Sequence, residues 1–429
     1  MPPEPKFCRQ GSMAVIFLSI FICLKTISSR SNIPAEELRS KLRGDDMPAK
    51  QVDELCRRCR TLEAVLTVRS ERLCRECFLK YVCTKVMKRM DAFRTRHSVP
   101  GAHRKLLLPI SFGVSSTTLL FILDQHLRSQ ITRTRRTGFA LHVLYIIDPF
   151  VTKDKTSERL ETIKSRFPNH EFSTTSLEEY FADSISKRPP NSETHTNGNL
   201  EDYVESHSSK LESFLHVLPS ATSRIDVLSI LRTRAAAQFA KDHNCEGIIW
   251  GDNTTKLAEK VLLETAKGRG FALSWHVADG ESPYVMAFYY PMQDVLRKEL
   301  LAHVDLVQPP LRPLITEEAF LPTKAPPSAK NTTIDVLMQQ YFESVEEKYP
   351  NIVSNVVRTT GKLQLPSVDG QKLCRLCKLP VTDDVLGMNG WGGYQTDVTT
   401  LEHTGNLQHE LCYGCARSVP QEAVGLLPV

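Results

Sequence analysis

The chain has 429 residues, 41% of them hydrophobic and 24% charged, with a net charge of +5. That length exceeds one ordinary core, and the balance of apolar and charged residues excludes fibrous and wholly disordered classes. The net charge is too small over such a length to name a partner by itself.

In residues 1–46, Lys6 and Arg9 precede an apolar run from Met13 to Leu24. The run has the charge and length of a secretory leader and is too short for a comfortable membrane span. The cysteines point the other way. Eight of the twelve lie in C-x-x-C pairs, and paired thiols that hold metal need a reducing compartment. The segment is therefore expected to be a non-conforming leader or an extension, with translation starting at Met47, and the chain a cytoplasmic protein without a membrane partner.

Residues 47–100 carry the first two pairs, Cys56/Cys59 and Cys74/Cys77, with 14 residues between them. Two such loops converge four thiolates on one tetrahedral ion, the arrangement of closed structural zinc sites. Disulfides or a redox dithiol are the alternatives, and four evenly built pairs in one chain fit either poorly. A helix follows, with Phe78, Tyr81, Val82, Lys85, Val86 and Met90 at helical spacing. Basic residues then accumulate: Lys85, Lys88, Arg89, Arg94, Arg96, Arg104 and Lys105 stand against the single acid Asp91, and Arg128, Arg133, Arg135 and Arg136 follow. Such a run can neutralise phosphates or serve only as a solvated face.

From 101 to 308 strands and helices alternate, the pattern of a parallel sheet covered by helices. Strands are predicted at Leu106–Ile110, Ala140–Ile147, His170–Thr174 and Gly247–Trp250. Helices are predicted at Ser115–Gln130, Ser157–Arg166, Val227–His243 and Asn253–Lys267, with a short one at Arg297–Leu301. A polar stretch, 184–210, reads as a flexible insertion. A proline-rich connection from Pro309 to Pro327 and a helix at Thr333–Tyr349 occupy 309–365. The last segment, 366–429, holds Cys374/Cys377 and Cys412/Cys415, 34 residues apart, which predict a second structural zinc module.

In an open α/β sheet ligands sit at the carboxyl ends of the strands, where a starting helix offers free backbone N–H groups to phosphate. Ser111, Gly113, Ser115 and Ser116 occupy that place after the first strand. An ordinary helix cap is the plain alternative. The lysine of a Walker-type loop is absent. Gly251 and Asp252 stand at the end of a later strand, where Asp252 suits metal or ribose contact as well as a cap. His403 and His409 are surplus to a four-cysteine set, and Trp391–Tyr394 suits stacking on bases as well as covering a metal. Cys83 and Cys245 lie in apolar contexts and are expected in the core.

The turn with Ser111, Gly113, Ser115 and Ser116 resembles a degenerate PP-loop, the S-G-G-x-x-S pyrophosphate cradle of ATP-pyrophosphatase tRNA-modifying enzymes. The segment Gly251–Leu262 followed by Gly268 and Gly270 stands where those enzymes carry their second nucleotide motif. With a cysteine module at each end, the order of motifs from Cys56 onward resembles the eukaryotic cytoplasmic tRNA 2-thiolation protein 2 family. The resemblance implies a Rossmann-like parallel sheet of PP-loop type, flanked by N- and C-terminal zinc modules. It implies a cytoplasmic complex that places sulfur on C2 of the wobble uridine. The catalytic tRNA 2-thiolation protein 1 would be the heterodimer partner, and the thiocarboxylated ubiquitin-related modifier the sulfur donor.

Against that pattern Phe112 replaces the first glycine, where its side chain is expected to crowd the phosphates, and Val114–Ser115 replace a lysine–aspartate pair. Whether ATP still binds is left open. The central domain holds one cysteine, Cys245, so the cysteine pair or triad of the catalytic relatives is missing. The expectation is a tRNA-binding, non-catalytic subunit with two structural zinc sites. The alternatives are an autonomous PP-loop adenylating enzyme, or a zinc-dependent adaptor without RNA.

Overall fold

The computed structural model describes residues 55–95, 104–149, 153–186, 210–317, 332–364, 368, 370–381 and 410–428. The leader, Arg96, the span 187–209, Trp391–Tyr394, His403 and His409 lie outside the described residues.

The N-terminal module is a hairpin of β1 (Leu66–Val68) and β2 (Glu71–Leu73), followed by α1 (Arg75–Arg89). The central region then runs β3 (Lys105–Ile110), α2 (Val114–Thr134), β4 (Ala140–Ile147), α3 (Lys153–Arg166), β5 (Glu171–Ser176), α4 (Leu177–Ser186), α5 (Lys210–Val217) and α6 (Ala221–Asp242). It continues with β6 (Gly247–Ile249), α7 (Thr254–Ala266), α8 (Leu273–Val277), β7 (Gly280–Ser282), β8 (Met286–Tyr289) and α9 (Arg297–Leu306). The chain closes with α10 (Ile334–Lys348), α11 (Pro350–Thr360) and α12 (Tyr413–Ser418).

The sheet has the order β5-β4-β3-β6-β8-β7. All pairs are parallel except β7 with β8, which makes an antiparallel edge. From β3 the chain winds outward through β4 to β5, then returns to β6 on the other side of β3. The order therefore reverses between β3 and β6, and that is where an open α/β sheet forms its ligand crevice.

Strand β3 is apolar on both faces because both faces are covered. Leu106 and Leu108 join a core with Phe78, Val82 and Val86 of α1, whereas Leu107 packs with Ala236 and Ala240 of α6 and Val261 of α7. Phe342 of α10 and Val357 of α11 enter that second core. The C-terminal cysteines share a third core with Phe181, Phe214 and Leu231. Both cysteine modules and the last helices are thus built into one unit with the central sheet, Leu55–Val429.

Several features differ from expectation. The polar stretch begins later and ends earlier than predicted, because α4 runs to Ser186 and α5 starts at Lys210. Leu311, Leu314 and Ile315 of the proline-rich connection are buried in the first core, so its start is not a free linker. The hairpin β7–β8 and helix α11 were not predicted, the former because its strands have only three and four residues. Pro350 at the first position of α11 was a legible start signal.

Candidate nucleotide loop and metal centres

Helix α2 starts immediately beyond β3 with Gly113 as its N-cap, and its first hydrogen bond runs from Thr117 N to Gly113 O. The N–H groups of the first turn have no acceptor within the helix. Ser111 and Ser116 hydroxyls lie 3.3 Å apart, and Ser116 Oγ also accepts from Ser111 N at 3.3 Å. Ser115 Oγ accepts a hydrogen bond from Asn253 Nδ2 at 2.8 Å. Gly251 lies against the same turn: a Cβ there would stand 2.9 Å from Ser116 Cα, so only glycine lets the two loops approach. The structure thus gathers Ser111, Gly113, Ser115, Ser116 and Gly251 at the sheet's switch point.

Two expectations at this loop are corrected. Phe112 does not crowd the turn: it takes a left-handed backbone, φ +53°, and is buried, with its ring 4.8 Å from Tyr145. The strained conformation that a glycine supplies freely is here held by core packing and by Thr316 N, which donates to Phe112 O at 3.0 Å. Asp252 does not cap the helix, and its carboxylate is paired with Lys260. The cap of α7 is Asn253, whose Oδ1 accepts from Lys256 N at 2.9 Å.

The cysteines form two groups, Cys56/Cys59/Cys74/Cys77 and Cys374/Cys377/Cys412/Cys415, each with all four sulfurs within 4.8 Å of one another. Sulfurs bound tetrahedrally at the zinc–thiolate bond length sit about 3.8 Å apart. Cys59 and Cys74 are at 3.8 Å, Cys377 and Cys412 at 3.5 Å, which fits a single ion in each group. The modules share one construction. Arg60 and Lys378 follow the first pair with positive φ and return their N–H to Cys56 and Cys374 carbonyls at 2.8 and 2.9 Å. Cys74 and Cys412 are each the N-cap of a helix, α1 and α12, so helix N-termini face the thiolates. Burial differs: the C-terminal four are all buried, whereas Cys59 and Cys77 are half-exposed.

The basic set is mostly occupied. Lys85 is a correction: its ammonium donates to Asp294 O at 2.7 Å and lies 3.3 Å from the buried Glu299 carboxylate, and burial lowers its pKa. Arg104 makes a two-pronged bond to Glu246 and a 2.7 Å bond to Ala92 O. Lys105 pairs with Glu171, Arg89 with Asp279 and Arg94 with Asp91. Lys88 is exposed on α1, and Arg133, Arg135 and Arg136 are exposed where α2 ends. The two segments meet where α2 ends, because a Cβ at Gly138 would lie 3.2 Å from the Arg94 carbonyl carbon.

A family model described as Cytoplasmic tRNA 2-thiolation protein 2 matches residues 333–391. A protein of that description from Phaeosphaeria nodorum is 46% identical over 398 residues, covering 89% of this chain and 99% of its own. The chain belongs to the cytoplasmic tRNA 2-thiolation protein 2 family. The member from Pyrenophora tritici-repentis is 43% identical and covers 87% of this chain and 98% of its own. Among solved structures, the U34-tRNA thiolase NcsA of Methanococcus maripaludis with its [4Fe-4S] cluster superposes with a TM-score of 0.52, over 80% of this chain and 98% of that one. At 14% identity that likeness concerns the fold, and the fold is the PP-loop type expected.

A buried charge network in this family member has no counterpart in the sequence pattern. Arg269, 1% exposed, is gripped by Asp226 and Glu264 and reaches Cys415 Sγ at 3.9 Å. Lys267 bridges Asp226 and Asp335 at 3.0 and 3.2 Å, and Ser418 Oγ donates to Asp226 at 3.0 Å. Burial opposes ionisation of Glu264, yet Arg269 and His276 bring its pKa down to about 2. No spacing signal links Asp226 to Arg269, and only the pair of glycines, Gly268 and Gly270, marked the turn as special.

Proposed function

We propose that the protein is the tRNA-holding, non-catalytic subunit of a heterodimer that 2-thiolates the wobble uridine of cytoplasmic tRNAs. Its partner is the catalytic PP-loop subunit, tRNA 2-thiolation protein 1, and the sulfur comes from the thiocarboxylated ubiquitin-related modifier. Membership of the family carries the role in tRNA thiolation and its cytoplasmic setting. Among the described residues no helix is long and apolar enough to cross a membrane.

The observation that supports a non-catalytic role is the position of Cys245. It is the one cysteine of the central domain, and it precedes β6, at the sheet edge opposite the nucleotide loop. Burial raises its pKa, so it is a poor thiolate. The other described cysteines are the two metal groups and Cys83, whose thiol burial also raises. Zinc, when bound, supplies a fixed tetrahedral cross-link between knuckle and helix and no sulfur chemistry.

For tRNA, the exposed Lys88, Arg133, Arg135 and Arg136 suit phosphate contact better than the occupied Lys85 and Arg104. Arg94 joins them, since its surface pair with Asp91 is cheap to exchange. Nucleoside mass spectrometry of bulk tRNA tests the role. Loss of 2-thiouridine derivatives without this chain and their return on restoration is expected; unchanged levels overturn it. The intact first turn of α2 favours a second reading, an autonomous ATP-dependent adenylating enzyme. Under it Ser115→Ala with Ser116→Ala abolishes ATP turnover by the isolated chain, whereas the non-catalytic subunit has no turnover to lose.

A further inference from the structure

The two cysteine modules match beyond their sulfurs. In both, the residue before the first cysteine bridges the chain as it leaves the knuckle, Leu55 with Glu63 and Leu373 with Pro380. Cys56 N donates to Leu62 O at 2.8 Å, and Cys374 N to Leu379 O at 2.7 Å. Arg57 N donates to Arg72 O at 2.9 Å, and Arg375 N to Glu410 O at 2.8 Å. By these bonds Leu62 is the counterpart of Leu379, and the carbonyls of Arg57 and Arg58 are the counterparts of those of Arg375 and Leu376.

What covers the two knuckles differs. Helix α6 lies across the C-terminal one: Leu231 shares a core with Leu376 and Leu379, and the buried Arg234 donates to Arg375 O at 2.9 Å and Leu376 O at 3.2 Å. Leu379 is thereby 4% exposed, whereas Leu62 is 45% exposed, Leu55 48% and Val65 60%. Exposure alternates from Glu63 to Val68, so Val65 points with Glu63, the residue bridged to Leu55. At the place of Leu376 stands Arg58, drawn aside by a two-pronged bond to Glu71. Among the described residues no side chain donates to the Arg57 or Arg58 carbonyl. The N-terminal knuckle therefore shows the surface that its twin buries under a helix, and an apolar surface of this kind marks a protein contact.

Charge narrows the occupant. From Leu55 to Leu73 five arginines stand against two acids, and Arg57 and Arg60 are exposed at the rim. Arginines attract phosphate as well as carboxylate, but aliphatic side chains give a base nothing to stack on and carbonyl oxygens repel phosphate. A second copy cannot lend its α6, because Leu231 and Arg234 are spent on its own C-terminal knuckle. We propose that the N-terminal knuckle is the docking site of an acidic amphipathic helix of the catalytic subunit, laid across Leu62 as α6 is laid across Leu379. The helix buries its apolar face on Leu55, Leu62 and Val65, and carboxylates along its margin meet Arg57 and Arg60. This rests on the heterodimer reading and adds the face of contact.

The full-length protein is mixed with the purified catalytic subunit, and association is measured by calorimetry and sedimentation. Leu62→Glu and Val65→Glu should each weaken it at least about tenfold, and so should Arg57→Glu combined with Arg60→Glu. Val285→Glu, at a side chain 76% exposed in the turn between β7 and β8, should leave it unaltered. The free Leu62→Glu chain should keep its melting temperature, zinc content and tRNA affinity. In the complex a chelator should take the N-terminal ion at least about tenfold more slowly, since the half-exposed Cys59 lies three residues from Leu62. Unchanged association of Leu62→Glu and Val65→Glu overturns the docking face and leaves the heterodimer standing. No association of the unaltered chain overturns the heterodimer, and the face with it. Loss of tRNA binding in Leu62→Glu assigns the face to RNA, and self-association abolished by that variant assigns it to a second copy; either overturns the proposal.

Discussion

Asn253 joins two loops that are 138 residues apart: its Nδ2 donates to Ser115 Oγ at 2.8 Å while its Oδ1 caps α7. One side chain therefore fixes the glycine-serine turn after β3 to the loop after β6. Asn253→Ala removes both bonds and should cost about 1–2 kcal/mol. Thermal melting measures that loss. Ser115→Ala removes the bond between the loops and keeps the cap, so it should cost only part of that.

The two metal groups should part from their ions in order. Cys59 and Cys77 are half-exposed, whereas the C-terminal cysteines are all buried, and Gly414 beside them packs against Lys267 O. Elemental analysis should find two zinc ions per chain. Under a chelator, the first should leave from the folded protein and the second only as the chain unfolds. Cys374→Ser, which breaks the buried group, should destabilise the whole unit by several kcal/mol, because metal affinity at such a site is folding free energy.

Arg269 stands between the carboxylates of Asp226 and Glu264. Arg269→Met leaves the buried Glu264 without its guanidinium and Asp226 with Lys267 as its one remaining cation, and should cost about 3–5 kcal/mol. It should also speed loss of metal from the C-terminal group, because Arg269 reaches Cys415. Equal metal loss from Arg269→Met and the unaltered chain would mean that the network does not brace this module.

Stability should fall as pH drops from about 6.5 to about 4. His303 is fully buried, neither of its ring nitrogens has a partner, and burial pushes its pKa down to about 4. His142 is shifted down to about 4, by burial first and against the pull of Glu171. A folded pKa below the unfolded one means that the unfolded chain binds the extra proton in this window, so acid favours unfolding. For His303 the full effect is about 3 kcal/mol. Melting across this range should show His303→Leu less sensitive than the unaltered chain. Glu264 acts lower: its stabilisation is complete above the ordinary carboxylate pKa and is lost only as pH falls through about 2.

The sequence by itself determined whatever rests on neighbours along the chain. Cysteine gaps named both four-cysteine groups, apolar runs named β3 and β4, and the glycine-serine turn named the start of α2, because thiolate convergence, burial and helix starts are local properties. Short β7 and β8 stayed hidden, since three or four residues do not establish a period. Tertiary structure alone decided which charges are free. Lys85 and Arg104 looked like phosphate ligands until Glu299 and Glu246, more than a hundred residues on, were brought beside them. It also turned Phe112 into the core and drew Asp226, Arg269 and Ser418 into one network. A buried charge depends on the partner that folding delivers, and that partner comes from segments whose spacing along the chain carries no periodic signal.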